Sequence, residues 1–231
     1  MRLAAHQPNY LPNIGFFNKM WKAEKFVLFT NVQFSKGDGW VRRHKIKGPN
    51  KDVWLTVPVL GSSSEQQIRD VHIDNSHTWR PSHRATIRQA YAHTQERDAL
   101  ERICAVYDRK WDRLADLNIA FILEIKDILG IETPVIIDEE VTGEKYALLI
   151  NLCKRHAANG YLSGMGGKEY MTEEYFAAMR EHGIDHQFVE NNLTALYPYT
   201  ILHYLFTEGK EHLMEIVREE VTEPLLVLTP A

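Results

Sequence analysis

The sequence predicts an α/β protein: a mainly parallel sheet flanked by helices, with a small antiparallel flap in the first half and a helical C-terminus. Two observations support this fold class. In the second half of the chain, short apolar segments alternate with longer helical ones across short connections, which is typical of parallel sheets. In the first half, several candidate strands lie close together before two long helical stretches. No linker rich in Pro, Gly or Ser interrupts the 231 residues, so we predict one domain with a helical part around residues 78–130.

Four strands are predicted in the first half. The chain opens on an apolar strand at residues 3–5, and residues 25–30 are continuously apolar, as in a strand buried on both faces. Residues 53–59 form a third strand, and residues 68–73 alternate apolar and polar, as a half-exposed strand does. We expect these last two to pair as the antiparallel flap. Helices are predicted at residues 16–21, 79–91 and 97–129.

In the second half, strands are predicted at residues 134–137, 161–163 and 185–189. A helix at 144–158 separates the first two. Thr172 is suited to cap the helix between the last two and Gly183 to end it, since a hydroxyl accepts a free backbone N–H and glycine tolerates the left-handed conformation. Two further helices, at 200–208 and 211–220, follow the last strand.

The most informative stretch follows the first strand, where the chain reads His6-Gln7-Pro8-Asn9-Tyr10. Pro8 and Pro12 restrict the backbone and favour an extended loop before the next helix. A strand that ends in a titratable side chain, followed by a rigid loop and a helix, is how many α/β enzymes present a ligand site. The alternative is a plain connection with a surface histidine. In the functional interpretation His6 acts as the general base, since imidazole titrates near neutral pH, or as the residue that orients the reacting group.

The carboxyl ends of parallel strands meet at one edge of a sheet, and ligands bind there. This rule brings three distant segments together, so we expect His6, Gln33 and Ser163 to line one cleft. His6 and Gln33 are the catalytic candidates, and the amides are suited to orient a nucleophile or an oxyanion. The strand-end residues are His6, Gln7, Asn31, Gln33, Ser163, Gly164, Gly166, Gly167 and Lys168.

The segment Ser163-Gly-Met-Gly-Gly-Lys168 has a chemistry of its own. Backbone N–H groups of a glycine-rich turn can cradle an anion, and Lys168 adds a cation. The segment lacks the spacing of a P-loop, and a structural turn is the alternative. We predict that Ser163, Gly164, Gly166, Gly167 and Lys168 bind a phosphate or carboxylate. No cofactor is identified, but a nucleotide or another phosphorylated donor fits this loop.

A basic strip with an aromatic residue lies at residues 36–51 and includes Trp40, Arg42, Arg43, His44 and Lys45. Arginine is the preferred planar fork for anionic groups, so Trp40, Arg43 and Lys45 are candidate substrate-binding residues beside Gln7, Asn9, Tyr10 and Asn31. A solvated basic β-arm is the alternative.

Composition narrows the function classes. The formal charge of −4 gives no general attraction for DNA. The N-terminus has no signal peptide pattern and no apolar run is long enough to span a membrane, so we expect a cytoplasmic protein.

Cys104 and Cys153 match no metal or redox spacing, and we interpret them as small apolar residues of helices. His72, His77 and His83 fit no standard zinc pattern, so no metal site is predicted. Without a Gly-x-Ser-x-Gly elbow, serine-hydrolase chemistry has no support.

These motifs resemble the WbqC-like family. The similarity covers nearly the whole chain, in order, at His6–Phe17, Asn31–Lys36, Trp40–Lys47, Trp54–Val59 and Tyr161–Tyr170. The family pattern carries amides where this chain has Val41, Arg42 and His44, and His203 also departs from it. Members often lie in surface-polysaccharide (O-antigen) gene clusters, and a glycine-transferase role has been suggested for some. The departures indicate a substrate unlike the typical one.

The resemblance implies a small-molecule transferase that moves an aminoacyl, for example glycyl, or other acyl group onto an amine. The acceptor would be an amino sugar or another small amine in polysaccharide or specialised-metabolite biosynthesis. Two alternatives stay open: an ATP-dependent ligase that forms an amide bond, and a non-catalytic binding protein of a biosynthetic cluster. The expected partner is a small-molecule substrate, and tRNA as the acyl donor stays open because of the basic strip.

Overall fold

The computed structural model describes residues 1–34, 39–48, 50–61, 66–165, 168, 171–189 and 193–219. Seven strands form two sheets within these ranges. Their bounds are Arg2–His6 (β1), Lys25–Phe29 (β2), Arg43–Lys47 (β3), Asp52–Thr56 (β4), Val135–Asp138 (β5), Gly160–Gly164 (β6) and Asp185–Val189 (β7). The helices are Ile14–Lys22 (α1), Trp79–Ala90 (α2), Arg97–Asp108 (α3), Leu114–Leu129 (α4), Tyr146–Arg155 (α5), Glu173–Glu181 (α6), Leu193–Leu196 (α7), Ile201–Glu208 (α8) and Lys210–Arg218 (α9).

The main sheet is parallel, with strand order β5-β2-β1-β6-β7. In register, Ala4 of β1 lies beside Phe26 on one side and Leu162 on the other. The chain builds outward from β1 in one direction through β2 and in the other through β6. β1 and β6 therefore flank the point where the strand order reverses, which is where open α/β sheets bind ligands.

Alternate residues of the strands serve two cores, as the period of a strand requires. Ala4, Phe26 and Leu28 join a large core with residues of α1–α4, α8 and α9. Leu3 and Val27 point the other way, into a smaller core with residues of α5 and α6. Helices thus cover both faces, and the predicted fold class is confirmed. Cys104 and Cys153 are buried, unpaired residues of α3 and α5, as expected.

The antiparallel flap exists, but its predicted pairing is wrong. β4 pairs with β3, in a register that places Arg43 opposite Thr56 and Lys47 opposite Asp52. The predicted strand at 68–73 is instead a single 3₁₀ turn, Ile68–Asp70, followed by two isolated bridges, His72 with Arg113 and Ile73 with Val59. Ile68 and Val71 are both fully buried, and a spacing of three brings two side chains onto one face of a 3₁₀ turn. The apolar spacing at residues 68–71 therefore fits the 3₁₀ turn.

The predicted helix at 97–129 is also corrected, since it consists of α3 and α4. Between them Arg109 and Arg113 adopt extended backbone angles, and Arg113 forms an isolated bridge with His72. The short helix α7 was not predicted. The strand at 185–189 has the predicted bounds, and Thr172 caps α6 by accepting the backbone N–H of Tyr175 at 3.4 Å.

Candidate functional site

A cleft of about 760 Å³ opens at the carboxyl edge of the main sheet, beside the ends of β1 and β6. Its walls come from the β1–α1 loop, from α1 and α7, from the flap and from the ends of β6 and β7. The described residues that line it are His6, Gln7, Asn9, Pro12, Asn13, Gly15, Phe16, Lys19, Trp40, His44, Ser163, Gly164, Met165, Met171, Val189, Thr194 and Ala195. The strand-end rule therefore placed two of its three segments correctly.

The β1–α1 loop is held from behind by a buried amide of α4. Asn118 Nδ2 donates to the carbonyls of Pro8 at 2.8 Å and of Val41 at 2.6 Å, which joins the loop to the segment before β3. The backbone N–H of Tyr10 donates to the Trp40 carbonyl at 2.9 Å. Asn13 then starts α1 by accepting the backbone N–H of Phe16. These bonds hold the backbone of the motif in place.

His6 sits at the floor of the cleft in a defined tautomer. Its Nδ1 lies 2.8 Å from the Gln7 carbonyl oxygen, so Nδ1 carries the hydrogen and Nε2 keeps its lone pair. The Phe16 ring packs edge-on at 5.0 Å between centroids. Burial, reinforced by the nearby Lys19 charge, lowers the pKa of His6 to about 3. The imidazole is therefore neutral at physiological pH, and the expectation that its own pKa suits proton transfer near neutrality is wrong.

Lys19, on the second turn of α1, is a cleft residue that sequence reasoning missed. Its side chain is almost fully buried, with the residue 7% exposed, and Nζ donates to the Ala5 carbonyl at 2.9 Å. The ammonium also lies 5.9 Å from the centroid of the Phe26 ring. Burial lowers the pKa of Lys19 to about 7. The feature that could have identified Lys19 is its position in α1, where most of the neighbouring residues are buried.

Ser163 and His186 form a hydrogen-bonded pair at the β6 end of the cleft. Ser163 Oγ lies 3.0 Å from His186 Nε2, on the neighbouring strand β7. The His186 ring stacks on Tyr161 at 5.7 Å and packs against the Phe188 ring at 4.7 Å. Burial among these rings lowers the pKa of His186 to about 4, which keeps it neutral and able to accept a proton. His186 is not among the candidate residues predicted from the sequence.

Trp40, just before the flap, and His44, on its strand β3, form the opposite wall. Their rings lie 4.7 Å apart between centroids, and Trp40 remains 38% exposed. His44 is buried, and this burial lowers its pKa to about 4. One departure from the family pattern therefore falls directly in the cleft.

Tyr10, Asn31 and Gln33 are predicted site residues that do not line the cleft. Tyr10 is fully buried in the large core, where its hydroxyl bonds His83 Nδ1 at 2.9 Å and the Tyr107 hydroxyl. The Asn31 amide donates to the Val141 carbonyl. Gln33 is exposed, forms an isolated bridge with Gln67 and is not among the residues that line the cleft. Both amides follow β2, which lies on the far side of β1 from β6, so the strand order takes them away from the cleft.

Two cations of the basic strip contact other residues of the flap. The Arg43 guanidinium lies 4.7 Å from the centroid of the exposed Trp54 ring. Lys45 forms an ion pair with Asp52 at 2.7 Å. Neither cation lines the cleft.

The glycine-rich loop is described only in part. Gly164 lines the cleft, whereas Gly166 and Gly167 lie outside the described residues. Lys168 is exposed, with its ammonium 5.4 Å from the centroid of the Phe188 ring. Anion binding by this loop stays a prediction.

The other departures from the family pattern lie away from the cleft. Val41 is buried in the large core. His203 lines a second cavity of about 590 Å³ between the flap, α2 and α8, with Tyr91 Oη 3.3 Å from its Nδ1.

Within the described ranges no group of three or more His, Cys, Asp or Glu side chains is placed to hold a metal ion. In the same part of the chain, no helix has both the length and the apolar character needed to cross a membrane.

The chain is similar to known proteins over most of its length. A model of the WbqC-like protein family matches residues 7–212. The "Uncharacterized protein Rv1507c" of Mycobacterium tuberculosis (strain ATCC 25618 / H37Rv) is 30% identical over 182 residues, which is 76% of this chain and 77% of that protein. No solved structure matches significantly.

Proposed function

The chain belongs to the WbqC-like protein family, and from the cleft at its sheet edge we propose that it transfers an aminoacyl or other acyl group onto an amine of a small substrate. The cleft volume of about 760 Å³ falls within the range of about 300–1,000 Å³ that is usual for small-molecule sites. Following the family resemblance, the acceptor is an amino sugar or a similar amine of polysaccharide or specialised-metabolite biosynthesis, and the reaction takes place in the cytoplasm.

The observation that carries the proposal is that Ser163, which lines the same cleft as His6, has its Oγ 3.0 Å from His186 Nε2, on the neighbouring strand β7. A hydroxyl within hydrogen-bond reach of a neutral imidazole is the arrangement of an activated nucleophile. In the proposed first step Ser163 Oγ bonds to the donor's carbonyl carbon and its proton passes to His186 Nε2. The donor's leaving group then departs with that proton.

In the proposed second step the acceptor nitrogen bonds to the acyl carbon, the bond to Ser163 breaks, and the proton of the amine returns to Oγ. His6 serves here as a positioning residue. Its Nε2 lone pair, fixed by the Nδ1 bond to Gln7, accepts an N–H of the amine. Gln33 is given no role because it does not line the cleft.

The test uses an activated donor, p-nitrophenyl acetate, and glucosamine as the acceptor, with N-acetylated product measured by mass spectrometry. Ser163→Ala should lose about a hundredfold or more of the transfer rate, the order expected when activation of the attacking group is lost. Ser82→Ala, an exposed serine of α2, is the matched control and should not change the rate. When the acceptor is left out, peptide mapping of the wild-type enzyme should find one acetyl group on Ser163.

Transfer by Ser163→Ala within about threefold of the parent, well below the effect of a general base, would contradict this proposal. Product that forms only from a free acid plus ATP would favour the amide-bond ligase instead. The same assay with glycyl-tRNA as the donor tests whether the acyl group arrives on tRNA.

A further inference from the structure

Among the residues that the structure describes, the lining of the cleft contains a basic residue but no acidic one. Lys19 is the one Lys or Arg in that lining, and no Asp or Glu joins it. The remaining polar side chains are neutral amides, hydroxyls and imidazoles. A cleft built this way favours an anion over a cation, since any ligand charge inside it is met by the ammonium alone.

Lys19 itself has few partners. Its three N–H donors find one acceptor within the described residues, the Ala5 carbonyl at 2.9 Å. No carboxylate within the described part of the chain forms an ion pair with it, although the residue is only 7% exposed. A buried ammonium without a counter-ion is costly, and a ligand anion removes that cost.

We propose that the cleft binds a small carboxylate-bearing ligand, with the carboxylate paired to the Lys19 ammonium. A single negative charge matches a single buried cation better than a phosphate dianion does. Binding also favours the charged form of the amine, so it is coupled to uptake of a proton above neutral pH. The inference goes beyond the proposed reaction, because it concerns binding and is measured without turnover.

The imidazoles at or beside the cleft do not titrate in the relevant range. His6 on β1 has a pKa of about 3, and His44 on the flap and His186 on β7 have pKa values of about 4, all lowered by burial. Ala5 and the Phe26 ring, which contact the ammonium, carry no charge. Between pH 6 and 9 Lys19 is thus the described group at the cleft whose charge changes, with its pKa of about 7.

The experiment titrates the whole protein with acetate and follows amide chemical shifts by NMR at pH 6, 7, 8 and 9. The Kd should be nearly constant below pH 7 and should rise about tenfold per pH unit above it, because only the protonated amine pairs with the anion. Acetamide has the same shape without the charge and should bind at least tenfold more weakly at pH 6. Inorganic phosphate is the second anion and should not bind more tightly than acetate.

Three variants assign the effect. Lys19→Met should weaken acetate binding at least tenfold, whereas Lys19→Arg should keep binding but remove its pH dependence, since a guanidinium stays charged. Lys22→Met is the matched control: Lys22 lies on the same helix, is partly exposed and pairs with Glu219, so acetate binding should be unchanged. The inference is overturned by a Kd independent of pH, by equal binding of acetamide, or by Lys19→Met binding as the parent does. Acyl transfer without acetate binding overturns this inference alone, and acetate binding without transfer overturns the proposed reaction alone.

Discussion

Lys19 is the residue at which stability and function oppose each other. In the unfolded chain its amine titrates at 10.5, and in the folded protein burial lowers the pKa to about 7. Because the folded-state pKa is lowered, unfolding takes up a proton between pH 7 and 10.5. The resulting loss of stability grows as the pH falls through that window and is complete below pH 7.

Lys19→Met should therefore stabilise the fold at pH 7, by roughly 1–3 kcal/mol, as apolar replacement of a buried charge often does. The gain should be smaller at pH 9.5, where most of the penalty has not yet developed. Urea unfolding at both pH values measures it, and Lys22→Met, at a partly exposed and ion-paired position, serves as the control. A loss of stability at pH 7 would mean that the bond from Nζ to Ala5 outweighs the cost of burying the amine.

Neighbouring residues of the opening motif have unlike roles, which sequence alone could not separate. His6, Gln7 and Asn9 line the cleft, whereas the Tyr10 hydroxyl bonds His83 and Tyr107 in the core. The backbone reverses direction here, with Leu11 at a positive φ of 45°. Partners 73 and 97 residues away decide the role of Tyr10, and no local pattern reports on them.

At the scale of elements, the approach of α1 to α7 forms one wall of the cleft and depends on Gly15. A Cβ built at Gly15 would lie 2.5 Å from Thr194 Oγ1. Threonine is stiff at χ1, so relief requires a rotamer change or a shift of the short helix α7. This close approach gives a physical reason for the glycine that follows the two prolines of the motif.

Gly15→Ala should lower stability by about 1 kcal/mol, with overpacking outweighing the better helix propensity of alanine. Adding Thr194→Ala removes the clashing atom, so the double variant should be at least as stable as the parent. Urea unfolding of the two single variants and the double variant gives the coupling free energy directly. Additive effects of the two changes would show that α7 adjusts freely and that the contact is not what requires glycine.

Elements with a local signal were predictable, and those set by tertiary contacts were not. The bounds of β7 and the cap at Thr172 follow from nearby residues. The partner of β4 depends instead on which strand lies beside it in space. We predicted residues 68–73 as that partner, but β3 pairs with β4. At 68–71 the apolar residues Ile68 and Val71 lie three apart and are both buried, which fits a 3₁₀ turn and not a strand, whose side chains alternate with a period of two.

At the scale of the whole molecule, strand order decides which candidate residues meet. The rule that ligands bind at the carboxyl edge was enough to bring His6 and Ser163 into one cleft, because β1 and β6 are neighbours. The sequence holds no direct record of strand order. It therefore could not show that β2 lies between β1 and β5, which takes Gln33 away from the reversal point.

At the scale of the whole molecule, five buried or half-buried neutral imidazoles should govern the acid stability. Burial is the main cause that lowers the pKa of His6 to about 3 and of the other four to about 4. The five are His6, His44, His83, His186 and His203. Each lowered pKa means that the unfolded chain binds a proton below pH 6.5 that the folded protein does not, so stability is present above pH 6.5 and is lost as the pH falls toward 4.

The free energy of unfolding should therefore decrease between pH 6.5 and 4.5, with a slope that corresponds to at least two protons, at about 1.4 kcal/mol per pH unit for each. Urea titrations at half-unit steps measure the slope. His83→Gln should reduce it by about one proton, because His83 is buried between Tyr10 and Trp79, whereas His93→Gln, at an exposed position, should leave it unchanged. A flat profile across this window would mean that the imidazoles are protonated in the folded state, and the neutral cleft on which the roles of His6 and His186 depend would not exist.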